Sequence, residues 1–248
     1  MASTSQTFAA HPTFTLTGRR GLIDTYFYFV MSLTFVAIVV WGFGHTVNDF
    51  LIHPAVPRPL LLWFHATAFS TWLLLFVLQS ALVRTHNVRL HRTLGWSIAG
   101  LGAVMIPLGI TTGITMGRFN TGVLHEVNAD LFEFVSFYDM AAFTTLLALG
   151  IYWRRKPELH RRLMFLATCG LMSAAFGRIP YLGNHNLFYV AVDAVICLGL
   201  PRDLLVDRRI HRVYLIAVPL LAIAQFLTIR VITTTPPWWS NFAHPLMG

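Results

Sequence analysis

Three ionisable side chains interrupt long apolar runs: His65 in WFHATAFSTWLLLF, Asp139 in FYDMAAFTTLLALG and Asp193 in FYVAVDAVICLGL. A charge inside hydrocarbon is costly, so each of these groups calls for a partner or a function. A histidine with two carboxylates can exchange a proton, bind a cation or hold a polar solute. A carboxyl group taken out of water is also easier to protonate, which suits proton exchange. Glu133, about one and a half helical turns before Asp139, would line the mouth of such a site. Arg178 and Arg230 offer the structural alternative, in which a basic group neutralises each aspartate and His65 packs through a hydrogen bond. Thr67, Ser70, Thr71, Thr144 and Thr145 add neutral hydrogen-bonding groups at the same level. His65, Asp139, Asp193, Glu133 and Arg178 are therefore the expected ligand- or proton-binding set. A metal is not expected, because neither a cysteine nor a local His-x-x-x-His pair joins them.

Such groups need membrane-crossing helices to position them. Of 248 residues, 11% are charged and 56% hydrophobic. That is too little charge for the surface of a soluble domain, and it points to one integral membrane bundle. A bilayer asks about 20 apolar residues of a helix. Seven runs qualify, at about 26–43, 59–83, 94–116, 131–153, 163–177, 187–205 and 213–233. None alternates as a barrel strand must. The expected class is all-α, a polytopic bundle of seven transmembrane helices (26–234) between a polar tail at 1–25 and an outer interfacial tail at 235–248. The first 25 residues lack signal-peptide features, so the first run reads as a retained anchor. Cys169 and Cys197 both lie in apolar runs, at a spacing that suits neither zinc nor a redox pair.

Charge gives the direction. With seven passes, fourteen Arg and Lys residues fall on one face, from Arg19 and Arg20 to Arg208, Arg209 and Arg212. Only Arg58, Arg118, Arg178 and Arg230 fall on the other. The positive-inside rule then puts the N-terminus in the cytoplasm and the C-terminus outside, in a bacterial inner membrane. His65, Asp139 and Asp193 would lie roughly 8–12 Å below the outer ends of their spans. Trp238 and Trp239 would sit at headgroup depth. The +8 net charge is spread over short loop clusters that meet lipid phosphates, so no nucleic-acid partner is expected.

The last six spans pair into three hairpins that all run the same way. Each returning helix is preceded by a similar tripeptide: Leu90-His91-Arg92, Leu159-His160-Arg161 and Ile210-His211-Arg212. His65-Ala-Thr-Ala-Phe-Ser-Thr also parallels Asp139-Met-Ala-Ala-Phe-Thr-Thr. Both features suggest an internal parallel repeat. Gly95, Gly102, Gly109 and Gly113 mark a close-packing face of the third span.

From about Leu62 to Met172, with its two His-Arg helix starts, the chain resembles a family of uncharacterised bacterial inner-membrane proteins. More distantly it resembles cytochrome b561-type haem bundles. That second resemblance implies a b-type haem, with His91 and His160 as axial ligands near the inner face. The ordinary reading of these histidines is interfacial anchoring, with Arg on phosphate and His amphipathic beside it. The outer-loop histidines His45, His53, His125 and His185 read as solvated groups.

Several classes are excluded. The single lysine, Lys156, lies in a loop, so no retinal Schiff base can form in the last span. No phosphate-binding glycine loop, nucleophile elbow or zinc-protease motif occurs, and no catalytic residue is expected. Three functions remain. The leading one is a small binding or transport protein with an outward-facing ionisable pocket for a proton, cation or polar solute. The second is a haem-bearing electron-transfer protein. The third is an accessory membrane subunit.

Overall fold

The computed structural model of the protein describes residues 16–247 and contains no strand among them. The polar tail expected at 1–25 falls largely outside the described residues. From Leu16 the chain is already helical. Its helices are α1 (Leu16–Gly44), α2 (Leu60–Arg84), α3 (Val88–Gly122), α4 (Ala129–Phe132), α5 (Phe134–Tyr152), α6 (Pro157–Gly170), α7 (Ser173–Phe176), α8 (Pro180–Asn184), α9 (Phe188–Cys197), α10 (Gly199–Val206), α11 (Arg212–Thr234) and α12 (Pro237–Met247). A π-helical turn, Asn48–Ile52, follows α1.

Five segments are long and apolar enough to cross a membrane: Gly21–Gly44, Leu60–Arg84, Val88–Gly122, Ala129–Tyr152 and Arg212–Thr234. Large apolar side chains on them face outward. Leu60, Phe64 and Leu74 on α2, and Leu220, Ile223 and Phe226 on α11, are all more than half exposed. Only lipid or a partner covers so much apolar surface.

The fifth and sixth expected spans are each two short helices in series, α6 with α7 and α9 with α10. The second break has a local cause. Pro201 has no N–H to donate to the Cys197 carbonyl four residues back, and its ring crowds that carbonyl. The chain accordingly leaves the helix at Leu198 and resumes at Gly199. Gly199 lies so close to the Tyr214 hydroxyl of α11 that any side chain there would collide with it. At the first break, three-residue hydrogen bonds from Met172 N to Cys169 O and from Ala175 N to Met172 O carry the chain from α6 into α7.

The core gathers around residues of zero exposure, among them Phe35, Met105, Phe165, Leu166 and Val192. Lipid is as apolar as these side chains, so close packing rather than exclusion from water favours their association. Glycines allow that packing along α3. Cβ atoms at Gly102, Gly109 and Gly113 would press on Leu147, Met140 and Glu133 respectively, whereas Gly95 faces open space.

The expected interfacial tail forms α12, which lies across α3 and α4. Trp239 is buried there against the protein and donates Nε1–H to Leu131 O at 2.9 Å. Trp238 remains exposed. Arg118 Nε donates to Leu246 O at 2.8 Å, the Thr121 hydroxyl donates to Met247 O at 2.8 Å, and His244 Nδ1 lies 2.6 Å from Asp130 Oδ2.

Candidate functional site

Asp139 sits in the second turn of α5, where its carboxylate points at α7 and α9. Ser173 Oγ of α7 donates to Oδ2 at 2.5 Å, and the Tyr189 hydroxyl of α9 donates to Oδ1 at 2.8 Å. Ser173 and Tyr189 are buried. The Tyr189 ring packs edge-on against Tyr138, with centroids 5.5 Å apart, and the Tyr138 hydroxyl donates to Leu221 O of α11 at 3.4 Å. Asp193, one turn after Tyr189 on α9, meets buried Gln225 of α11. With the Gln225 amide nitrogen turned inward, it donates to Oδ1 at 2.8 Å and to Oδ2 at 3.0 Å. Two carboxylates are thus served by two hydroxyls and an amide. Among the described residues neither aspartate has a basic partner.

The rest of the expected set makes no hydrogen bond or ion pair with either aspartate among the described residues. His65 stacks on Phe69 of its own helix, centroids 4.1 Å apart, and its buried Nδ1 has no hydrogen-bond partner. It belongs to α2, which packs on α1 and α3, whereas α9 packs on α6, α7, α8, α10 and α11. Arg178 donates to Ala174 O at 2.5 Å and covers the Phe43 ring at 4.1 Å, leaving Asp139 and Asp193 to neutral donors. Glu133 is buried beside α3 and accepts from Ser136 Oγ at 2.7 Å.

At the opposite end of the bundle, His91 and His160 occupy the first turns of α3 and α6, with ring centroids 6.2 Å apart. The Nδ1 of His160 bonds Gly150 O at 2.9 Å. The Nδ1 of His91 meets the Gln79 amide. The third tripeptide behaves differently. His211 is the N-cap of α11, and its Nδ1 accepts from Val213 N at 3.2 Å. Burial, and then the charge of Arg162, push the His211 imidazole below its ordinary value, which keeps Nδ1 free to accept.

Beside His211 lies an ionic cluster that the charge pattern alone assigns to lipid phosphates. Arg162 and Asp203, both fully buried, form a two-pronged pair, Nε to Oδ2 at 3.0 Å and Nη2 to Oδ1 at 2.6 Å. Arg202 joins Asp203 at 2.8 Å, Asp207 at 2.7 Å, and Asp24 of α1. Arg161 bridges Asp24 and Glu158. These arginines bind α1, α6 and α10 together instead of meeting phosphate. Burial alone would raise the Glu158 carboxyl, but the Arg162 hydrogen bond and the Arg161 and Arg162 charges hold it below its ordinary range.

Sequence reasoning misses Ser173, Tyr189 and Gln225, because a neutral donor in an apolar run gives no signal of which helix it faces. It also misses the ionic cluster, although a clue exists there: LHRRLMF carries Arg162 where LHRTLGW carries Thr93. Comparison of the chain with protein-family models, curated proteins and solved structures finds no match.

Proposed function

We propose that the chain is a seven-pass inner-membrane binding or transport protein, with its N-terminus in the cytoplasm and its C-terminus outside. Its outward-opening Asp139–Asp193 site exchanges a proton, or takes a small cation in the proton's place. One observation carries this reading: both carboxylates are held by neutral donors alone. A structural aspartate at membrane depth is expected to pair with a base, and Arg178 is engaged elsewhere. An aspartate held by Ser173 and Tyr189 can gain and lose a proton without breaking an ion pair. Counting α6 with α7, and α9 with α10, as one pass each gives seven passes and keeps every basic loop on one face.

The test is reactivity toward an apolar carbodiimide, which modifies protonated carboxyl groups in membranes. Asp139 and Asp193 should be labelled in purified protein, with labelling falling as pH rises. Labelling confined to Glu133, with both aspartates inert at every pH, would overturn the reading.

A second reading, a b-type haem on His91 and His160, has the ring separation in its favour. His91 and His160 are the residues that would hold such a group, from the first turns of α3 and α6. The Nδ1 contacts to Gly150 O and Gln79 would orient them. Such a group would supply one-electron chemistry at the inner face. An optical spectrum of protein grown with ample haem should then show a band that shifts on reduction and is lost in His91→Ala. A colourless folded protein removes this reading.

A further inference from the structure

The four arginines of the outer face differ in what holds them. Arg58 donates to Asn120 Oδ1 at 3.2 Å and lies over the Phe50 and Phe119 rings. Arg118 is bonded to Leu246 O, and Arg178 to Ala174 O. Arg230 alone has no ion pair, hydrogen bond or aromatic partner for its guanidinium among the described residues. It lines a groove of about 470 Å³ between α5, α11 and the start of α12. Thr234 and Trp238 flank Arg230 at the outer end, while Leu227, Thr228 and Tyr138 line the deeper part. From Ala224 to Thr234 the groove follows α11 for about 15 Å. The walls are almost wholly apolar apart from the one cation, and the Tyr138 ring at depth touches Tyr189, the donor to Asp139.

We infer that this groove binds a single-chain anionic amphiphile, a long-chain carboxylate. Its head pairs with Arg230 and its chain runs down α11 toward Tyr138. Charge complementarity selects the anion, because an unpaired guanidinium at the membrane boundary lacks only an acceptor. The groove is open along its length, so an acyl chain would lie in it with one side toward lipid. This site is separate from the Asp139–Asp193 carboxylates and takes an anion where they would take a proton or cation. As a binding site it stands independently, because occupancy is measured without reference to proton exchange.

The experiment is photolabelling in phosphatidylcholine vesicles with a trace of diazirine-bearing palmitic acid, with adducts mapped by mass spectrometry. Adducts should concentrate on residues 134–138 and 224–238. Arg230→Gln should lower them about tenfold, the loss expected for one charge-assisted hydrogen bond, while labelling by the matching uncharged alcohol changes little. Leu227→Trp, at a position more than half exposed, should fill the groove and abolish labelling by both probes. Adducts spread evenly over the lipid-facing sides of α2 and α3 would overturn the proposal. So would labelling indifferent to Arg230→Gln, or a diazirine phospholipid that labels the groove better than the fatty acid.

Discussion

Asp139 and Arg162 are both charges held within the bundle, and the chain satisfies them in opposite ways. Arg162 is locked, with two bonds to Asp203 and further bonds to Glu158 and Asp207. Removing one member leaves a buried charge unpaired, so Arg162→Ala or Asp203→Ala should cost about 3–5 kcal/mol, read as a lower thermal unfolding midpoint in detergent. The same lock has a pH limit at its rim. Glu158 titrates below its ordinary value in the folded protein, so its contribution is present above the unfolded value and is lost as pH falls through the folded one. Glu158→Gln should flatten the acid limb of the stability profile, and an unchanged limb would show that Glu158 does not set it. Asp139, by contrast, is held by the neutral hydroxyls of Ser173 and Tyr189 alone. Isolation in an apolar run makes Asp139 and Asp193 legible in the sequence. The donors to them are not legible, because Ser173 and Tyr189 acquire their meaning only where α7 and α9 meet α5.

Helix lengths explain how α12 finds its place. At 35 residues, α3 extends for about 52 Å, more than the full thickness of a bilayer. Its C-terminal end therefore offers Gly117, Arg118 and Thr121 as a bed for α12, where a Cβ at Gly117 would meet Met247. The His244–Asp130 contact ties the far side of α12 to α4. Replacing His244 by Ala should leave the bundle folded and speed amide exchange in α12 selectively. Unchanged protection would assign the docking to Trp239 and the Arg118 and Thr121 bonds alone. Apolar runs locate α1, α2, α3, α5 and α11 well, because length and hydropathy are what a bilayer demands. They miss the breaks at Leu171–Met172 and Leu198, which depend on local backbone geometry and on Pro201. The parallel between the tripeptides holds for His91 and His160, each four residues into its helix. It fails at His211, which caps α11 one turn earlier in register.

Across the whole molecule, charge and polarity are divided between two ends. One end carries the ionic lock that joins α1, α6 and α10, while the other carries, among the described residues, Asp139 and Asp193 without a basic partner, the groove beside Arg230, and the docked α12. On the proposed seven-pass topology, this division would give a rigid inner base and an outer site open to exchange. His65, expected to complete the site, makes no hydrogen bond to either aspartate and stacks on Phe69 instead, because a likeness of seven residues to the Asp139 segment does not give it the same partners. The most direct measurement is proton movement through the purified protein in vesicles that hold a trapped pH dye, under an imposed potassium potential. Wild-type vesicles should change internal pH faster than vesicles with an equal amount of folded Asp139→Asn protein. Equal rates in the two would contradict proton exchange at this site.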